Sequence, residues 1–144
     1  MSELRDLSPS ECRAHLAEQQ VGRAAVVAPD GPHIIPVNYA LVDETVVLRT
    51  SQGTLLATHG QRAVVAFEVD HLDPVTRSGW SVLVRGSTAP VLDVAQIAHI
   101  RRIWEPVPWA GGTRDLYLRL TLAHVSGRQV GTPAPVPGGL QHVP

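Results

Sequence analysis

The chain is nearly without cysteine. Cys12 is its single thiol among 144 residues, so no disulfide can form within one copy. That composition agrees with a reducing compartment, and with no activating motif beside it Cys12 reads as structural. Charge is scarce as well: Asp, Glu, Lys and Arg make up 17% of the residues, and the formal net charge is −1. No basic run is present. The broad electrostatic footprint that binds nucleic acid is therefore excluded, as is a polybasic membrane patch. No apolar run approaches the roughly 20 residues that span a bilayer. Residues 1–7 lack the charged-then-apolar order of a secretory signal, so a soluble cytoplasmic protein is expected. The seven histidines are scattered, and His71 with Asp73 is the one local pair that suggests metal ligands. A metal site needs more than that, and none is expected. Ser81 lacks the His and Asp of a hydrolase triad. No nucleophile or base stands out, so catalytic residues stay unassigned.

The length suits one compact domain with a sizeable core. Ser8, Pro9 and Glu11 form a capping box with proline at the first helical position, predicting a helix that turns Cys12 and Leu16 inward. Strands are expected at 24–27, 33–39, 45–50, 63–70, 80–89 and 116–122, and 125–130 either ends the last of these or makes a short further strand. Ala28-Pro29-Asp30-Gly31 is a turn signal. Pro36 lacks an amide donor, which marks an edge or a bulge. In Thr45–Thr50 the apolar residues fall on both faces, so this strand should be buried on both sides. A short helix is expected at 55–59, ended by Gly60, and another after Asp93 running to about Trp104. Residues 71–79 read as a long loop. Glu68 and Asp70 share one strand face; paired carboxylates can do acid–base work, but a solvated barrel face with Arg85 across the strand is the expectation. Short strands with few helices predict a mainly β (α+β) fold, a small antiparallel barrel. Residues 1–130 form that domain and 131–144 a Pro/Gly-rich tail.

The segment Arg49-Thr50-Ser51-Gln52-Gly53-Thr54 carries the most chemistry. A strand delivers an arginine and two hydroxyls to the start of a helix, where free amides and the dipole favour an anion. Arg49 can add a charge-assisted contact, and Gly53 lets the backbone approach closely. The same residues also fit a simple structural role, in which Ser51 or Thr54 caps the helix.

Ile35-Pro36-Val37-Asn38-Tyr39, Leu48 to Thr54, Val65 to Asp70 and Gly79 to Gly86, in that order and spacing, resemble the pyridoxamine 5′-phosphate oxidase-like superfamily, in particular its small actinobacterial members. Trp109 to Asp115 and Ser126-Gly127-Arg128 extend the likeness. The resemblance implies a six-stranded antiparallel split β-barrel with short capping helices. It also implies a homodimer, with FMN at the dimer interface and an unknown small organic substrate. Arg49, Thr50, Ser51, Gly53 and Thr54 would line the phosphate, and Pro36, Val37 and Asn38 would lie beside the isoalloxazine ring. Trp80 and Ser81 would approach the flavin, and Trp109 and Arg114 would close the pocket from the partner chain. Where the family often has a lysine after Gly-Thr, this chain has Leu55. The alternatives are F420 as a diffusing hydride carrier on the same fold, or a non-enzymatic protein that binds flavin or haem. The low charged fraction and the doubly apolar third strand also lead to the homodimer, since both leave apolar surface to cover.

Overall fold

The computed structural model describes residues 3–104 and 115–131. In chain order the elements are β1 (Leu4–Asp6), α1 (Pro9–Glu18), β2 (Val21–Ala28), β3 (Gly31–Val42), β4 (Thr45–Ser51), α2 (Leu55–His59), β5 (Val64–Asp73), β6 (Ser78–Pro90), α3 (Val94–Ile103), β7 (Asp115–Leu120) and β8 (His124–Val130). The tail expected at 131–144 lies outside the described residues apart from Gly131.

Six antiparallel strands close a barrel in the order β6–β5–β2–β3–β4–β7. Closure comes from Thr88, Ala89 and Pro90 of β6 pairing with Leu120, Arg119 and Leu118 of β7. The first half of β6 uses the same edge for β8, and β1 adds to β8. One long strand thus serves the barrel and the extension that splits from it. The barrel expected from the resemblance is present.

Alternation along the strands fills the lumen. Tyr39, Leu48, Phe67, Leu118 and Leu120 are at most 1% exposed, and the Tyr39 and Phe67 rings meet edge to face at 5.0 Å, the geometry that aromatic quadrupoles favour. Gly22 must be small, because a Cβ there would collide with the Phe67 ring. The Tyr39 hydroxyl donates to the Leu16 carbonyl of α1 at 2.5 Å, and burial pushes this phenol up from its ordinary pKa. Cys12 and Leu16 are buried as the capping box implied, and burial likewise raises the Cys12 thiol, which leaves it inert.

β4 is apolar on both faces, with Val46, Val47 and Leu48 fully buried. Val46 and Leu48 face the lumen. Val47 joins a second small core with Val42, Val91, Ile100 and Tyr117. The cover on its outer face is therefore α3 of the same chain, so this strand no longer argues for a second copy. Asp93 caps α3 as expected, and Trp104 at its end packs against Tyr117.

Three expectations are corrected. The long loop at 71–79 is a four-residue turn, since β5 runs to Asp73 and β6 begins at Ser78. The Asp73 carboxylate accepts from the Val75 and Thr76 amides and tightens the reversal. The cation serving Glu68 and Asp70 is Arg23 of β2, because Arg85 registers opposite Ala66. β1 was not anticipated; it is three exposed residues with no apolar rhythm. Pro36 does lie on an edge: β4 pairs only residues 38–42 of β3, so 31–37 have β2 alone, and Pro32 and Pro36 are exposed there. Among the described residues no helix is long and apolar enough to cross a membrane.

Candidate functional site

The corner where β4 gives way to α2 gathers the phosphate candidates. Arg49 registers opposite Asn38 of β3 and Tyr117 of β7, on the outer face. Thr50 sits at the end of the lumen-facing row. The Thr54 hydroxyl caps α2, accepting from the Ala57 amide at 3.1 Å and donating to the Ser51 carbonyl at 3.0 Å. It also lies 2.7 Å from the Thr50 hydroxyl. The structural role weighed for Thr54 is therefore real. What the corner offers a ligand is Arg49, the Ser51 hydroxyl and the first-turn amides that an α-helix leaves unsatisfied. Gly53 adopts φ 85° with nothing within 4 Å of an added Cβ. It serves the turn and leaves the approach open.

Leu55 is the first residue of α2 and only half-buried, while Leu56 enters the core at 1% exposure. The position where the resemblance led to an expected lysine thus belongs to the rim of the corner. The chain has no lysine anywhere, and its 12 basic residues are all arginine. Its permanently charged side-chain cations are therefore all guanidinium, with a planar fork of donors.

The β3 candidates divide by alternation. Pro36 is exposed and Asn38 half-buried on the outer face, but Val37 is buried and can offer a ligand only its backbone. Pro36 registers opposite Arg23 of β2, and Asn38 opposite Arg49, so Asn38 and the phosphate corner are brought together.

Trp80 and Ser81 are elsewhere. They lie on the first half of β6, with β5, β2 and β3 between β6 and β4 on that side of the barrel. Trp80 is 6% exposed, its ring stacked on His15 at 4.2 Å and 19°. It packs α1 onto the sheet. Ser81 faces outward, in register with Asp70 on one side and Arg128 on the other. With Asp6, Leu83 and Ser126 it borders a trough of about 520 Å³. Arg128, whose guanidinium is 3.9 Å from Asp6, is a cation that residue-by-residue reasoning passed over; its alternation with Ser126 on β8 was the available signal. Trp109 and Arg114 lie outside the described residues. Among the described residues no three His, Cys, Asp or Glu side chains gather at metal-binding distance.

Residues 8–129 match the profile of the pyridoxamine 5′-phosphate oxidase family. An uncharacterized protein of Mycobacterium tuberculosis is 32% identical over 133 residues, covering 89% of this chain and 86% of its own. The solved structure of an FAD binding protein from Mycobacterium smegmatis superposes with a TM-score of 0.78 at 32% identity, covering 90% of this chain and 100% of its own. An FAD-binding protein from Mesorhizobium loti shares the fold, with a TM-score of 0.71 at 24% identity over 92% of this chain and 100% of its own.

Proposed function

From the premise that this chain belongs to the pyridoxamine 5′-phosphate oxidase family, we propose that it is a flavin-dependent oxidoreductase, a homodimer that holds FMN between its two copies and acts on a small organic substrate. The observation that carries the reading is the β4–α2 corner. Arg49 and Ser51 close β4 directly before α2, whose first turn keeps the amides that Thr54 does not cap, and Gly53 leaves the approach clear. A phosphate monoester needs a cation, hydroxyl donors and free amides, and this corner supplies all three. Asn38 beside Arg49 extends the site toward a ring. Ser81 and Arg128 lie in register on β6 and β8 and not at the β4–α2 corner. A second copy supplying Ser81 and Arg128 is what gives them a place at the flavin in this reading.

A bound flavin supplies the hydride and electron transfer. The chain's own residues anchor the phosphate, orient the ring and limit access of water. None of them is assigned a catalytic proton transfer.

A second reading is favoured by one finding: the Mycobacterium smegmatis relative is named for FAD. The trough at Ser81 and Arg128 has the volume and the cation to receive a further phosphate and nucleoside. One experiment addresses both. The protein is purified without added cofactor, its visible spectrum recorded, and the denatured supernatant separated by chromatography. Released FMN is expected. FAD in its place selects the second reading. A deazaflavin, or a colourless protein that neither FMN nor FAD reconstitutes, overturns the flavin proposal.

A further inference from the structure

A cleft of about 280 Å³ opens where two helices end beside one strand. The last turn of α1 meets it at Leu16 and Ala17, and α3 meets it at Ile103 and its cap Trp104. Residues 39–41 of β3 form a third side. The cleft shares no lining residue with the β4–α2 corner, and among the described residues no charged side chain lines it.

Three features set what this cleft can hold. The first is polarity. An α-helix leaves its last carbonyls without intrahelical partners and carries the negative end of its dipole there. Two such ends at one cleft repel an anion and favour a molecule that donates hydrogen bonds. Arg101 and Arg102 lie in the last turn of α3 but line no part of the cleft. The corner at α2 is a helix start and has the opposite preference. The second feature is a strand edge. β2 begins at Val21, opposite Asn38, so on this side β3 has no strand partner beyond Asn38 among the described residues. The Tyr39 amide donates to the Gln20 carbonyl at 3.0 Å. By alternation Leu41 presents its own N–H and C=O on that same side. The Gln19 and Gln20 side chains add two carboxamides to the lining, each a donor and an acceptor. The third feature is a flat wall. Trp104 is half-buried, its ring set edge to face on Tyr117 at 6.0 Å, and it lines the cleft with aromatic surface.

We propose that this cleft is a second small-molecule site, and that it takes an uncharged single-ring aromatic bearing a primary carboxamide. Its volume lies just below the range for drug-sized ligands, so one ring and its amide are what fit. The ring stacks on Trp104 between the aliphatic Leu16 and Ile103. The carboxamide gives two N–H donors to the helix-end and Leu41 carbonyls, and its oxygen accepts from the Leu41 amide or a glutamine N–H, so each polar group finds a partner. A carboxylate in the same place would bring a charge with no cation to meet it. The site is independent of the flavin reading, since it uses other residues and helix ends of the opposite sign.

Titration of the isotope-labelled full chain with benzamide, followed by amide NMR, tests it. Saturable shifts are expected at the Leu41 backbone amide, the Gln19 and Gln20 side-chain amides and the Trp104 indole. Benzoate and toluene, which keep the ring, should each bind about tenfold more weakly or worse, the worth of one net hydrogen bond. Ala17→Phe, which fills the cleft from α1, should abolish the shifts. Ala98→Phe, at an exposed position of α3 outside the cleft, should leave them in place. FMN at saturation should not displace benzamide. Shifts absent from the named groups would overturn the site. Toluene or benzoate binding as well as benzamide would overturn the carboxamide, and displacement by FMN would make the cleft part of the flavin site and overturn its independence. Should Ala17→Phe fail to fold, the double variant Gln19→Leu with Gln20→Leu decides: an unchanged benzamide affinity there rejects the proposed contacts.

Discussion

A guanidinium at the end of a strand can meet two phosphate oxygens at once, and Arg49 occupies that position. Arg49→Ala should weaken FMN binding by about 1.5–3 kcal/mol, the range for hydrogen bonds to charged groups. Riboflavin, which lacks the phosphate, should lose much less. Fluorescence titration with both ligands checks this, and equal losses would mean that Arg49 supports the fold. Leu55 offers the converse test. It stands at the rim of the corner and outside the core cluster, so Leu55→Lys should tighten FMN binding by about 0.5–2 kcal/mol, the new cation offsetting its own ordering and desolvation. In a chain without lysine it would also be the sole side-chain amine. An amine-directed reagent should label it in the apoprotein and be blocked by FMN. Weaker binding with a lowered melting temperature would instead make Leu55 a packing residue. At this scale the sequence was legible where chemistry is local: Arg49, Gly53 and the Thr54 cap lie within one six-residue segment. It was not legible where partners come from distant strands. Arg23 reaches Glu68 and Asp70 across 45 and 47 positions, and nothing near Glu68 announces it.

Helix α1 owes its start to a closed set of short contacts. The Ser8 hydroxyl accepts from the Glu11 amide, and Glu11 accepts from the Ser8 amide at 3.0 Å. Arg5 donates to both Glu11 oxygens at 3.0 and 2.9 Å. Arg5, then the Ser8 amide, hold the Glu11 carboxyl at a pKa of about 2, down from 4.5. A lowered folded-state pKa contributes stability that is whole above the ordinary value and fades as pH falls toward the folded one. The melting temperature of wild-type protein should therefore exceed that of Glu11→Gln above pH 4.5 and converge on it as the pH falls to 2. A gap that stays constant across that window would mean that shape, not charge, holds the cap. Elements with such punctuation were readable: the capping box for α1, Gly60 for α2, Asp93 for α3. Where punctuation misled, the error was local. Proline and aspartate near residue 73 suggested a long loop, whereas Asp73 folds its carboxylate onto two amides and lets both strands continue to the turn.

In the whole molecule two cores differ in what they support. The lumen is shared by the barrel strands, and the smaller core seats α3 on β3, β4 and β7. Leu118→Ala, in the lumen, should cost about 2–5 kcal/mol and lower the single cooperative transition. Ile100→Ala should act mainly on α3. Hydrogen exchange should show α3 amides opening locally while lumen-strand amides still exchange only through global unfolding. If Ile100→Ala sped exchange equally everywhere, α3 would be part of the barrel's cooperative unit. Closure of the barrel was not legible from strand patterns alone, since Thr88 and Leu120 meet across 32 positions of sequence with a helix between; the family resemblance supplied it. The double burial of β4 was legible, but not its cause, because an apolar face does not say whether its cover comes from the same chain.

The open edge of β3 bears on how far such molecules can assemble. A strand joining that edge would seek donors at alternate positions, and Pro32 and Pro36, on the same alternation as Ile34, have no N–H to give. Edge-to-edge growth meets a dead end after one donor. In the homodimer proposed above, the two-fold contact is used up once two copies have met, because such a surface occupies itself. On that reading concentrated solutions should scatter light as discrete particles, without the ribbons that an unprotected strand would seed.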